Sequence, residues 1–361
     1  MKKVLLGFSG GVDSFFSAFL LKEKGFKVDL VFFKLLSEAN LEKPKKAAEL
    51  LNLPLTIIDL RKEFKELVID YFVSYYKEGL TPNPCAVCNR EVKLKFLYRL
   101  KEELSYDFIA TGHYARALYD ERLKRVVIKR GKDPKKEQSY FLSLVEAKVI
   151  QSLILPLGEF TKEEVVKRAR ELGYPFKGES QDICFIPDGE YSEFLRKFIT
   201  PKPGDFKLRN GTVLGKHKGI IYYTIGQRRG LGIPYKHPLY VVELKPKENE
   251  IILGSKEEVK KDSFCLWKVN WQVFPKELKG REIEAQVRYR SSPVKVEELR
   301  YFNSCIYCVK LAAKVEAPTP GQVCAFYSGD LLLGGGEITR KEPTDDREHS
   351  INRLDSCSSS G

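Results

Sequence analysis

A short apolar run, Lys3–Phe8, breaks at the glycine pair of SGGVDS and resumes as an amphipathic stretch, Phe15–Glu23. A strand that turns through two glycines directly into a helix opens a parallel βαβ unit, because parallel neighbours need a crossover and a helix supplies it. The pattern then repeats. Lys27–Lys34 reads as a second strand, Glu42–Leu51 as a helix, Leu55–Leu60 as a third strand and Glu63–Lys77 as another helix. A loop with two cysteines follows. Glu91–Leu104 is then helical, with Leu94, Leu97 and Leu100 on related faces, and Asp107–Thr111 reads as a buried strand. Residues 1–150 are therefore expected to form an α/β domain with a parallel sheet covered on both sides. Ligands of such sheets sit at the carboxyl ends of the strands, where both SGGVDS and TGHY fall.

Beyond residue 150 the pattern changes. Thr161 followed by Glu164 predicts a capping box opening a helix over 161–172, and 178–189 is irregular. We read 151–205 as a small connecting domain. Over 206–341, β-rich runs such as GTVLGKHKGIIYYTIGQ, PLYVVELK, EIEAQVRYR and VCAFYSGDLLLGGG alternate with glycine turns, a spacing that suits a small antiparallel barrel or sandwich, of which an antiparallel β-barrel is the expectation. The serine-ended segment 342–361 lacks periodicity and reads as a disordered tail. A chain of 361 residues exceeds one core of about 150 residues, which suits this division.

Lys and Arg number 62 against 49 Asp and Glu, a net charge of +13. The tail holds five acids and two bases, so the positive excess lies in the rest of the chain. Such a field favours a polyanion such as nucleic acid, although lysine-rich surfaces are also common in heat-adapted proteins. No apolar run reaches the roughly 18 residues of a membrane span, and the run in MKKVLLGFSGG is too short for a signal peptide. A cytoplasmic protein with no membrane partner is expected. Eight scattered cysteines in such a chain argue against a disulfide framework.

SGGVDS suits an anion. Gly10 and Gly11 let backbone N–H groups approach closely, the helix start favours negative charge, and Ser9 and Ser14 add hydroxyls. No Lys-Ser/Thr pair follows, so this is not the common nucleoside-triphosphate loop, and a plain tight turn remains the alternative. The stretch TPNPCAVCNR carries Cys85 and Cys88, a spacing that serves zinc, a redox couple, a cluster or a reaction centre. The second pair, Cys305 and Cys308, lies in β-like sequence with no accompanying His. It reads as buried structural thiols, as do Cys265 and Cys324, while Cys357 falls in the tail.

GFSGGVDS resembles the pyrophosphate loop of the ATP pyrophosphatases, which adenylate a substrate by cleaving ATP between its α and β phosphates. TPNPCAVCNREVKLK, ATGHYAR, EQSYFL, GESQDICFI, YTIGQRRGLGIP, VRYR and PGQVCAFY follow in the order found in the tRNA-specific 2-thiouridylases. The resemblance covers roughly residues 1–337, leaving the tail outside. It implies ATP-dependent thiolation of the wobble uridine, position 34, of tRNAs for Lys, Glu and Gln. ATP, with Mg²⁺, activates the C2 oxygen, and sulfur then displaces AMP. A cysteine desulfurase or sulfur-relay protein would supply the sulfur.

Residue by residue, the resemblance implies that Gly7, Phe8, Ser9, Gly10, Gly11, Val12, Asp13, Ser14 and Gly112 bind ATP, with Phe33 beside the adenine. Most relatives have Met at the position of Phe33, and Ser is frequent at that of Phe15. Cys88 falls on the nucleophilic or resolving cysteine and Cys184 on the persulfide carrier, each helped by a thiolate state that Arg90 or Lys93 would favour. Many relatives carry Asp where this chain has Cys85. That substitution leaves three readings open: a thiol as acid–base group; Cys85, Cys88 and Cys184 as ligands of a [4Fe–4S] cluster whose open iron binds hydrosulfide; or the same three thiols on zinc, for which the sequence offers no fourth ligand. Asn83, Pro84, His113, Lys136, Glu137, Gln138, Arg288, Tyr289 and Gln322 are implied to face tRNA; by their own chemistry Arg228, Arg229 and Arg290 suit phosphate contacts, with a solvated basic turn as the alternative. The rivals are another adenylating enzyme of the same loop class, and a tRNA-binding protein that keeps the loop as a switch.

Overall fold

A computed structural model describes residues 1–176, 178, 183–186, 190–302 and 306–340. The tail, Cys305, Cys357 and most of 178–189 lie outside the described residues. The expected α/β start is present: β1 (Lys3–Gly7), α1 (Val12–Glu23), β2 (Lys27–Lys34), α2 (Glu42–Leu51) and β3 (Leu55–Asp59). A helical run follows as α3 (Arg61–Phe64), a π segment Lys65–Ile69 and α4 (Asp70–Lys77).

The stretch TPNPCAVCNR is not a loop. Pro84–Cys88 forms helix α5, which continues through a π segment, Asn89–Lys93, into α6 (Leu94–Glu103). The physical reason is local: the Asn83 side chain accepts from the Ala86 N–H at 3.1 Å, and Pro84 occupies the first helical turn, where its missing N–H costs nothing. Both signals stand in the sequence as Asn-Pro.

β4 (Phe108–Ala110) and β7 (Leu153–Ile154) complete a parallel sheet in the order β3-β2-β1-β4-β7. Strand order reverses at β1, so a crevice opens between the ends of β1 and β4, at SGGVDS and Thr111–His113. Between β4 and α7 (Ala147–Ile150), the hairpin β5 (Ala115–Asp120) and β6 (Arg125–Arg130) leaves this sheet and pairs with the C-terminal one. Helix α8 (Lys162–Glu171) opens on the expected capping box: Glu164 N–H donates to Thr161 Oγ1 at 3.2 Å and Thr161 N–H to Glu164 Oε2 at 2.6 Å.

After α9 (Tyr191–Arg196), the β-rich region holds two sheets. β8 (Gly204–Lys207), β9 (Val213–His217), β10 (Tyr240–Lys245) and β11 (Glu250–Gly254) form a four-stranded sheet, β10-β11-β8-β9, around Phe206, Val241 and Ile251. Past α10 (Lys256–Val259), six strands close into an antiparallel barrel: β12 (Lys260–Trp271), β13 (Glu284–Gln286), β14 (Val294–Phe302), β15 (Ile306–Glu316), β16 (Val323–Ser328) and β17 (Leu331–Thr339). The ring runs β12-β15-β14-β13-β16-β17 and closes through β12–β17, which removes exposed edges. The core is continuous across the domains, since Tyr140 and Leu142 pack with Val323, Tyr327 and Leu332.

Cys265 and Cys308 are not free thiols. They stand opposite one another on β12 and β15 and form a disulfide, the register having brought their Cα atoms to 4.0 Å. Cys324 is a free, fully buried thiol, as expected.

Candidate active site

The glycine loop is shaped by close backbone packing. Gly10 has φ +71°, and a Cβ there would lie 2.5 Å from Pro44 Cα at the start of α2. Gly112 packs on the start of α1, where a Cβ would lie 3.1 Å from the Asp13 carbonyl carbon. Gly10 therefore excludes a side chain, and Gly112 leaves room for one only if the start of α1 gives by a few tenths of an ångström. Ser14 Oγ donates to Gly11 O at 3.0 Å and stands 3.2 Å from Ser9 Oγ, while Tyr174 OH donates to Gly10 O at 2.7 Å. Gly11 caps the twelve-residue helix α1 without a side-chain bond, so the first amides of the helix are available to an anion. Gly7 ends β1, Phe8 and Val12 are buried beneath the turn, and Phe33 forms a partly buried apolar wall at the end of β2.

Asp13 is held by two residues that no sequence signal singles out. Tyr114 OH donates to Oδ1 at 2.7 Å, and Lys162 Nζ reaches both carboxylate oxygens at 2.7 and 2.8 Å.

The second half of the site brings distant cysteines together. Cys88 is buried, on the inner face of α5. Phe185 and Ile186, directly after Cys184, pack into the same apolar cluster as Cys88, with the Phe185 ring 5.6 Å from Phe64 and 5.4 Å from Phe72. Cys184 itself stays exposed and Cys85 is half-buried. Burial pushes the Cys88 thiol up to about 12, against the pull of the Lys93 ammonium. Lys93 is in turn held charged, first by Cys88, with Cys184 and Cys85 adding to the effect. Lys93 is thus the cation of the thiol cluster. Arg90 is engaged elsewhere: its Nε donates to Glu91 at 2.6 Å and its Nη2 lies 3.9 Å from the buried Glu337 of the barrel, which also accepts from Tyr75 OH at 2.5 Å.

The cluster expectation finds no ligand set. Among the described residues no group of three or more His, Cys, Asp or Glu side chains is arranged to hold a metal ion, and Cys85, Cys88 and Cys184 do not fit a cluster as they stand. The sulfurs are spread between a buried, an exposed and a half-buried position.

Residues expected to face RNA divide. Arg228 and Arg229 are exposed. Arg288 is turned inward, its Nη2 donating to Ala317 O at 2.8 Å and Thr319 Oγ1 at 2.5 Å and lying 3.3 Å from Ile225 O. Gln322 donates to Thr81 O at 3.0 Å and Pro82 O at 3.2 Å, bracing the entry to α5 from the barrel. Asn83 and Pro84 are buried at that entry. Glu137 accepts from Ser139 N–H at 2.6 Å, Gln138 from Tyr114 N–H at 3.0 Å, and Lys136 N–H donates to Asp133 O. The Tyr289 ring packs against Phe141 at 4.4 Å, tilted by 47°. His113 bonds Thr111 Oγ1 at 2.8 Å, and burial, helped by Lys93, drives its imidazole down to about 3, so it is neutral.

A three-domain protein with a nucleotide-type parallel sheet, a small middle sheet and a closed barrel is the class that this architecture defines. Family models match in that order: a tRNA methyl transferase HUP domain over residues 2–188, a tRNA methyl transferase PRC-barrel domain over 192–255 and an aminomethyltransferase β-barrel domain over 261–338. Among full-length relatives, the tRNA-specific 2-thiouridylase MnmA of Aquifex aeolicus is 42% identical over 354 residues, 93% of this chain and 98% of the relative. MnmA 2 of Thermoanaerobacter sp. is 40% identical over 360 residues, 94% and 98% of the two chains, and MnmA 1 of Clostridium botulinum is 39% identical over 347 residues, 93% and 98%. The chain belongs to the tRNA-specific 2-thiouridylase family. No helix among the described residues is long and apolar enough to cross a membrane.

Proposed function

We propose that this protein thiolates C2 of the wobble uridine of tRNA at the expense of ATP, in the cytoplasm. The observation that carries the reading is the meeting of Cys88 and Cys184, 96 residues apart in sequence, through the shared cluster of Phe64, Phe72, Phe185 and Ile186 beside Lys93. Two thiols suit sulfur transfer better than the methyl transfer that two of the family models carry in their descriptions.

MgATP enters as substrate, its phosphates at the open amides of α1 and its adenine against Phe33. The uridine C2 oxygen attacks the α phosphorus and pyrophosphate leaves. A persulfide on exposed Cys184, loaded by a cysteine desulfurase or sulfur-relay protein, then attacks C2 with its outer sulfur, and AMP departs. Cys88 attacks Cys184 Sγ, closing a Cys88–Cys184 disulfide and leaving sulfur on the base; a donor thiol must reduce that disulfide before the next turnover. Burial keeps the Cys88 thiol protonated until the site rearranges around RNA, and Lys93 supplies the charge that favours its thiolate. Cys85 lies within the field of Lys93 and serves as proton carrier where relatives have Asp. Exposed Arg228 and Arg229 suit phosphate contacts.

Mass spectrometry of tRNA incubated with protein, ATP and a persulfide donor tests this. Cys184→Ser is expected to abolish thiolation and AMP release while tRNA adenylation, read as pyrophosphate release, still occurs. Thiolation surviving Cys184→Ser would sink the assignment of the carrier.

A further inference from the structure

The segment 133–138 carries Lys135, Lys136, Glu137 and Gln138, and both its ends are tied to the residues that grip Asp13. At one end, buried Asp133 accepts from the Lys162 backbone N–H at 2.9 Å, and from Lys135 N–H at 2.9 Å. At the other, Gln138 and Tyr114 exchange two bonds: Tyr114 N–H to Gln138 Oε1 at 3.0 Å, and Gln138 N–H to Tyr114 O at 2.9 Å. The side chains of these same two anchors, Lys162 and Tyr114, converge on the Asp13 carboxylate within SGGVDS. Tyr114 is 3% exposed and the Lys162 side chain 14%, so neither bond is a loose surface contact. From the barrel, Arg290 Nη2 reaches Lys135 O at 3.2 Å, tying the VRYR turn to the same segment.

We propose that Asp13, Tyr114, Lys162 and Asp133 form a clamp that couples the nucleotide loop to the 133–138 segment, so that nucleotide and tRNA each tighten the binding of the other. The inference rests on the proposed function, in which ATP sits at SGGVDS and RNA meets Lys136, Glu137 and Gln138. A polyphosphate at the start of α1 adds negative charge beside Asp13 and redistributes the Lys162 ammonium between two anions. The change is local, yet both anchors of the segment feel it. A segment whose anchors nucleotide has already tightened costs less to hold against RNA, which gives positive coupling, and linkage makes the effect reciprocal. Tyr114, Lys162 and Asp133 are positioning residues in this scheme.

The test is the affinity of the full chain for tRNA with and without Mg²⁺ and α,β-methylene-ATP, whose α–β bridge resists cleavage. Wild type is expected to bind tRNA about 5–50-fold more tightly with the analogue. Tyr114→Phe removes one grip on Asp13 but keeps both backbone bonds to Gln138; Asp133→Asn weakens the other anchor. In each variant the coupling factor should fall towards one, while the separate affinities for analogue and tRNA stay within about twofold. Hydrogen exchange at Lys135 and Gln138 should slow with the analogue alone. A wild-type protein that binds both ligands independently overturns the clamp, as do full coupling in both variants and unchanged exchange. Failure of wild type to bind either ligand overturns the functional reading and the clamp with it.

Discussion

Gly10→Ala is the substitution whose consequence follows most directly from the backbone. At φ +71° an alanine pays about 1–2 kcal/mol for the left-handed conformation. Its Cβ would also lie 2.5 Å from Pro44 Cα and 2.7 Å from Pro44 N, both main-chain atoms of α2, which cannot swing aside as a flexible side chain would. Ordinary contact begins near 3.4 Å, so either the loop or the helix must move by nearly 1 Å. Helix α2 is fixed by buried Ala47, Ala48 and Leu51, and the loop therefore gives way. Strain and overpacking together should cost about 2–4 kcal/mol. A displacement of that size at a phosphate site should lower kcat/KM for ATP about 10²-fold. Gly11→Ala is the control, because Gly11 has φ −75° and its Cβ would meet only Ser9 Oγ at 3.3 Å, leaving the melting temperature near wild type. The assay is tRNA-dependent AMP formation, with calorimetric melting alongside. Wild-type kcat/KM and melting temperature in Gly10→Ala would refute the claim that this backbone shape holds the phosphates.

Two further outcomes can be measured on the unliganded protein. His113 is neutral when folded and protonates near 6.5 when unfolded, so its contribution is whole above pH 6.5 and is lost as pH falls towards 3. The stability difference between pH 7.5 and pH 5.0 should shrink by about 1–2 kcal/mol in His113→Gln, measured by urea unfolding, and an equal difference in both proteins would show that the imidazole is not held neutral. Reducing Cys265–Cys308, which closes a sequence separation of 43, should destabilise the barrel by about 2–4 kcal/mol and lower the urea midpoint, with Cys308→Ser showing the same shift in the absence of reductant; an unchanged midpoint would mean that the bond constrains nothing.

Much of the local structure around the candidate site is legible in the sequence. The glycine pair between an apolar run and an amphipathic one located the loop, and Thr161 with Glu164 located the start of α8. The Asn-Pro start of α5 is equally legible as a cap followed by a first-turn proline, although the stretch reads as a loop when judged by its cysteines. Lys93 and Arg90 looked alike in sequence. Only the fold assigned Lys93 to the sulfurs and Arg90 to Glu91 and Glu337, because a π segment after Cys88 and a strand from the barrel decide which cation faces which partner.

Strand and helix periods, caps and glycine turns depend on neighbours along the chain and can be read there, as can the excess of positive charge. Tertiary structure decided every pairing between distant residues. It joined Cys88 to Cys184 through a phenylalanine cluster, bonded Cys265 to Cys308 through strand register, turned Arg288 inward, and gave Asp13 two partners 101 and 149 residues away. The reason is physical. Local signals arise from dihedral preferences and hydrogen bonds within a few residues, whereas these contacts exist only once separate faces have buried their apolar surface against each other and fixed which polar groups are left side by side.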